Sequence, residues 1–145
     1  MTGASIKDFN WNPMVPELLV TDINKSLAFW RDVLGFDVAF HRLEKGFAYL
    51  DRNGVQVMLD QRNDNWETGE MEQPFGRGIN LQMTVPAIAP LLEALEKAQW
   101  PLYQGPYEKW RHTGDVQSGC REFLVQDPDG YLLRFYEDLG CRPLS

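Results

Sequence analysis

A chain of 145 residues with 43% apolar and 12% aromatic content can bury one ordinary core and is too apolar to be disordered. A formal net charge of −7 argues against a nucleic-acid surface, and no apolar run reaches the roughly 18 residues of a membrane span. The opening MTGASIKDFNWNP lacks an apolar signal segment, so a cytoplasmic protein is expected, and Cys120 and Cys141 have neither disulfide-framework nor zinc-ligand spacing.

MVPELLV (residues 14–20) reads as the first strand and leads to Thr21-Asp22, a helix N-cap signal. Ile23, Leu27, Trp30 and Leu34 then recur at i, i+4, i+7 and i+11, an apolar helical stripe that Gly35 should stop. FDVAFHR is a second strand, and FAYLDRNGVQVMLD (residues 47–60) reads as strand, Asp-x-x-Gly turn, strand, with Gly54 supplying positive φ. A polar stretch, 62–78, looks irregular. INLQMTV begins a second series, followed by a helix carrying Ile88, Leu91, Leu92, Leu95 and Ala98, with Pro86 and Pro90 at its approach and first turn. WPLYQGPY is a weaker strand, and residues 105–119, with Tyr107 and Trp110, read as a second irregular linker. FLVQDPDGYLLRFY (residues 123–136) is a second hairpin.

The two hairpins are copies. Shifted by 76 positions without a gap, Phe47 meets Phe123, Asp51 meets Asp127 and Gly54 meets Gly130. Each copy is therefore β-α-β-β-β, and the expected architecture is α+β: a single domain over residues 1–145, with modules at about 14–62 and 77–138. Period-two alternation sets Leu18 and Val20 against Glu17 and Leu19, and Val57 and Leu59 against Met58 and Asp60. In the second module it sets Leu81 and Met83 against Asn80 and Gln82, and Leu133 and Phe135 against Arg134 and Tyr136. One face must pack on the helices. The other, mixed face is either the solvent side of a sheet or the lining of a cleft, and periodicity leaves both open.

VTDINKSLAFWRDVLGF (residues 20–36) and REFLVQDPDGYLLRFYED (residues 121–138) carry a family resemblance. The chain resembles the vicinal oxygen chelate superfamily of glyoxalase I, extradiol dioxygenases and bleomycin-resistance proteins, and it is most similar to the last through SLAFW, LGF and REF before the DP-x-G turn. The resemblance implies paired βαβββ modules in an incomplete barrel around a groove, and a homodimer with ligand grooves at the subunit interface. Metal-dependent members place His, Gln and Glu ligands on four strands, and those positions carry over to Val15, Met58, Asn80 and Arg134. Such a set cannot hold a hard divalent ion, so the expectation is no metal and no cofactor. His41 and His112 lie at none of the four positions.

The resemblance and the acidic charge together point to a metal-free protein that sequesters a bulky cationic antibiotic of the bleomycin type, without catalytic residues. The expected groove is lined by Glu17, Asp60, Asn80, Gln82, Arg134 and Tyr136 from alternation and by Phe40 and Phe47 from the resemblance. It is closed by Trp110 on a mobile linker, with Tyr107 and Trp66 as other candidate stacking faces. Asp60 is expected to act as a rim charge that steers association, and Arg134 to pair with Glu17 or Asp60. The alternatives are a metal-independent lyase or isomerase using Glu17 or Asp60 as base with Tyr136 or Arg134 stabilising charge, or a glyoxalase- or dioxygenase-like metalloenzyme.

Overall fold

The computed structural model describes residues 6–144 and forms two compact units, one ending at Phe75 and the other beginning at Gly76. The first contains β1 (Glu17–Val20), α1 (Ile23–Trp30), β2 (Asp37–Arg42), β3 (Phe47–Arg52) and β4 (Val55–Gln61). Its sheet order is β1-β4-β3-β2, with β1 parallel to β4 and the other pairs antiparallel. The second contains β5 (Asn80–Thr84), α2 (Ala89–Lys97), β6 (Gln104–Thr113), β7 (Val116–Gln126) and β8 (Leu132–Pro143), in the order β5-β8-β7-β6 with β5 parallel to β8. The same order twice is the βαβββ repeat expected from the hairpins, and the chain is α+β. Among the described residues no helix is long and apolar enough to cross a membrane.

Asp22 caps α1 from an extended backbone, its Oδ1 accepting from the amides of Asn24 at 2.9 Å and Lys25 at 3.3 Å. The apolar stripe outlasts the regular helix. Beyond Trp30 the amides of Asp32 and Leu34 bond to Leu27 and Phe29, five residues back, and this widened turn closes at Gly35 with φ +81. Ile23, Leu27, Phe29, Trp30 and Leu34 are all buried, against the face of the sheet that carries Leu18, Val20, Ala48, Leu50, Val57 and Leu59. In the second unit α2 buries Leu91 and Leu95, and the Ile88 amide at its start donates to Glu137 Oε1 at 2.9 Å. The matching sheet face carries Met83, Phe123, Val125, Leu133 and Phe135, with Phe123 stacked on its cross-strand partner Phe135 at 5.4 Å. Ile79, in phase with Leu81 and Met83, stands 62% exposed because β5 starts one residue after it.

The repeated hairpins differ in their turns. Asn53 and Gly54 take φ of +50 and +91, a two-residue type I′ turn that lets Arg52 pair with Val55. Pro128 stands where Arg52 does in the first copy; it has no amide to give a ladder, so pairing stops at Gln126 and Leu132. Asp127 Oδ1 organises the wider loop, accepting from the amides of Asp129 and Tyr131.

Residues 105–119 are not an irregular linker. They form most of β6 and the start of β7, joined by Gly114-Asp115 with Gly114 at φ +61. A glycine-aspartate pair between strands is itself a hairpin signal, and Tyr107, Trp110 and Thr113 suit a strand.

Candidate functional site

Cross-strand register fixes which side chains share the open face of the first sheet. Arg42, Phe47 and Asp60 stand in one row; Phe40, Tyr49, Met58 and Glu17 stand in the next. A cleft of about 310 Å³ opens over them, lined by Glu17, Arg42, Lys45, Phe47, Met58 and Asp60 of the sheet region and by Asn63 and Trp66 of the following loop. Of the nine residues expected in the groove, Glu17, Phe47 and Asp60 therefore line one cavity, and Phe40 stacks at its end on Tyr49, 5.3 Å between centroids. Trp66 is 72% exposed and takes φ +62, a backbone state that costs a bulky residue energy.

Asp60 is only 7% exposed, and its hydrogen-bond partner is the carboxyl of Glu17. Burial, then the charge of Asp60 and that hydrogen bond, push the Glu17 pKa above the usual carboxylate range. The two carboxyl groups thus face each other in the cleft. Arg42 lies over the rings of Phe47 at 4.5 Å and Phe40 at 5.3 Å, and among the described residues no cation pairs with either acid. Asp60 is floor rather than rim, which corrects the steering role expected of it.

The segment before β1 went unread in the sequence and helps shape this face. Phe9 and Trp11 pack edge-on against Tyr49 at 6.0 and 4.9 Å, and Trp11 reaches Phe40 at 5.7 Å. Gln56 anchors the strap: its Oε1 accepts from the Asn12 amide at 2.9 Å and the Tyr49 hydroxyl at 2.6 Å, while its Nε2 donates to the Asn10 carbonyl at 2.7 Å. The alternation Phe9-Asn10-Trp11-Asn12 was the available signal, but its meaning depends on Gln56, more than forty positions away.

On the open face of the second sheet stand Asn80, Gln82, Arg134 and Tyr136, as expected, together with Glu122, which sequence reasoning missed. Glu122 is 1% exposed. It accepts from Arg111 Nη1 at 3.0 Å, Cys120 Sγ at 3.2 Å and the Tyr107 hydroxyl at 3.2 Å, and Arg134 Nη1 lies 3.8 Å from its other oxygen. Arg134 thus pairs with Glu122 of its own sheet, and its Nε donates to Asn80 Oδ1 at 3.0 Å. Trp110 does not join them. It pairs with Gly119, one position out of phase with Tyr107 opposite Glu122, and therefore occupies the other face of the sheet. Its ring packs on Gly119 with the Arg142 guanidinium 4.0 Å above it, and its indole N–H donates to Glu108. The aromatic that this strand gives to the open face is Tyr107.

Burial alone would raise the Glu122 pKa, but the bonds from Cys120 and Arg111 and the charges of Arg111 and Arg134 outweigh it and hold it below the usual range. A lowered acid stabilises the fold above its unfolded pKa, and that contribution disappears as pH falls through the folded value. Glu122→Gln should cost about 1–3 kcal/mol at neutral pH, since Arg111 and Arg134 keep contact with water. It should also flatten the loss of stability between neutral pH and the carboxylate range in urea titrations; an unchanged pH slope would disprove the assignment.

The donor set at the four positions that the resemblance implies as metal ligands does not fit a divalent ion. Asn80 gives its oxygen to Arg134, Val15 has no donor, and Met58 offers only a thioether. His41 and His112 are exposed on β2 and β6, and among the described residues no three of His, Cys, Asp and Glu converge.

The model of the Glyoxalase/Bleomycin resistance protein/Dioxygenase superfamily matches residues 13–135. The chain belongs to this superfamily. Bleomycin resistance proteins of Geobacillus stearothermophilus and Staphylococcus aureus are each 30% identical to it over 132 residues, covering 86% of this chain and 96% of theirs. Among solved structures, TioX from Micromonospora sp. ML1 superposes with a TM-score of 0.68 at 22% identity, over 89% of this chain and all of that one. A virulence protein of Salmonella typhimurium does so at 0.63 and 21% identity, over 89% and 98%. Those two share the fold.

Proposed function

We propose that this chain is a cytoplasmic, metal-free binding protein that sequesters a bulky, cationic, aromatic antibiotic of the bleomycin glycopeptide type, in a groove completed by a second copy. The bleomycin resistance proteins at 30% identity support the ligand class. The observation that carries the reading is Asp60, a buried carboxylate whose partner is another acid, at the floor of a cleft with Phe47 and Trp66. A guest ammonium or guanidinium sits against the two facing carboxyls, and the aromatic faces take its planar parts.

Binding of a cation favours the ionised form of Glu17, so affinity should rise as pH rises through the elevated Glu17 pKa, with proton release below it. Calorimetry with bleomycin in buffers of different ionisation enthalpy measures both. Stoichiometric binding without product, with protons released, is the expected result; no heat at high micromolar ligand refutes the drug-binding reading. The raised pKa of Glu17 also suits a general acid, so a metal-independent lyase or isomerase is the second reading, and a modified ligand in the same mixture would select it.

The homodimer rests on two exposed apolar residues at equivalent points of the repeat. Met14 and Ile79 are 86% and 62% exposed just ahead of the edge strands β1 and β5. Leu19, which belongs to the open face, is already buried within the chain and contributes nothing to this case. Sedimentation equilibrium at micromolar concentration should give twice the chain mass, and a monomer throughout would remove both the dimer and the shared groove.

A further inference from the structure

We infer that the open face of the second sheet carries an oxyanion site, formed by Arg111, Arg134 and Tyr107 around the buried Glu122, that takes the carboxylate or phosphate group of a small organic molecule. It does not depend on the drug-binding reading. Glu122 pins two guanidiniums at once, Arg111 on one oxygen at 3.0 Å and Arg134 toward the other at 3.8 Å. One arginine would neutralise it. The second is held by a separate bond from its Nε to Asn80, which fixes its plane as well as its charge.

Each guanidinium commits only part of its donor set to this anchor. Arg111 uses Nη1 alone, and Arg134 uses Nε and Nη1; the side chains remain 45% and 28% exposed, so their other N–H groups lie open to a ligand. Lys109, on the same face of β6, stands 4.3 Å from the Tyr107 ring centre. The acids on that face are Glu122, which is buried, and Asp138, whose Oδ1 accepts from the Gly140 amide. Three cations against two acids leave the face positive within a chain of net charge −7, so the excess is local. Guanidiniums already fixed by a buried carboxylate lose little freedom on binding a planar or tetrahedral oxyanion.

The test is an NMR titration at constant ionic strength with benzoate, phenyl phosphate and inorganic phosphate, following arginine Nε–H and tyrosine ring signals. At least one anion should give saturable shifts at Arg111, Arg134 and Tyr107, and the arm that saturates names the group. Arg134→Gln and Arg111→Gln should each weaken that binding about tenfold. Benzylamine should leave these signals unmoved. Linear, unsaturated shifts with all three anions, or saturation unaffected by both arginine variants, would show the network to be structural only and overturn the site.

Discussion

Asp60→Asn is expected to weaken bleomycin binding by about 2–4 kcal/mol, a loss of roughly 30- to 1000-fold, while leaving the free protein at least as stable as wild type. The two outcomes have one cause. Asp60 is 7% exposed and faces the Glu17 carboxyl, so in the free protein its charge is a liability that the amide removes. In the complex the same charge would sit against the ligand's cation in a cleft with little water, where a direct partner counts for far more than a rim charge. Calorimetry gives the affinity and thermal melting the stability. A variant that binds normally places the ligand elsewhere. One that loses both binding and stability makes Asp60 a structural residue, and the cleft reading fails.

Trp30→Ala should cost about 3–5 kcal/mol, a large share of the roughly 5–15 kcal/mol that holds a domain folded. Trp30 is fully buried, its ring edge-on to Phe36 at 5.1 Å between centroids, at the end of α1 where the helix widens before Gly35. Alanine leaves a cavity that the sheet below cannot close, because Leu50, Leu59 and Val57 are themselves buried on that side. Urea unfolding measures the loss. A cost under about 1.5 kcal/mol would mean that α1 does not seal its sheet as described.

The helices and the first hairpin were legible because their signals are local. Asp22 caps within three residues, the apolar stripe of α1 repeats on one helical face, and Asn53-Gly54 sets its turn by backbone sterics alone. Residues 105–119 were misread because two glycines bounding a polar stretch resemble a loop, although Gly114-Asp115 turns the segment back on itself so that residues 110–113 pair with residues 116–119. Once Trp110 was placed on a loop it had no parity, and nothing local could reveal that it faces away from Arg134.

By itself the sequence determined the repeated βαβββ order and the identity of the buried faces, since periodicity belongs to single segments. Only the tertiary structure decided which charges meet. Glu122 claims Arg111 and Arg134, and Asp60 is left with Glu17, through cross-strand registers and a bulge in β6 that shift the pairing there. A carboxylate's role follows from its partners and its access to water, and both are set by strands distant in the chain.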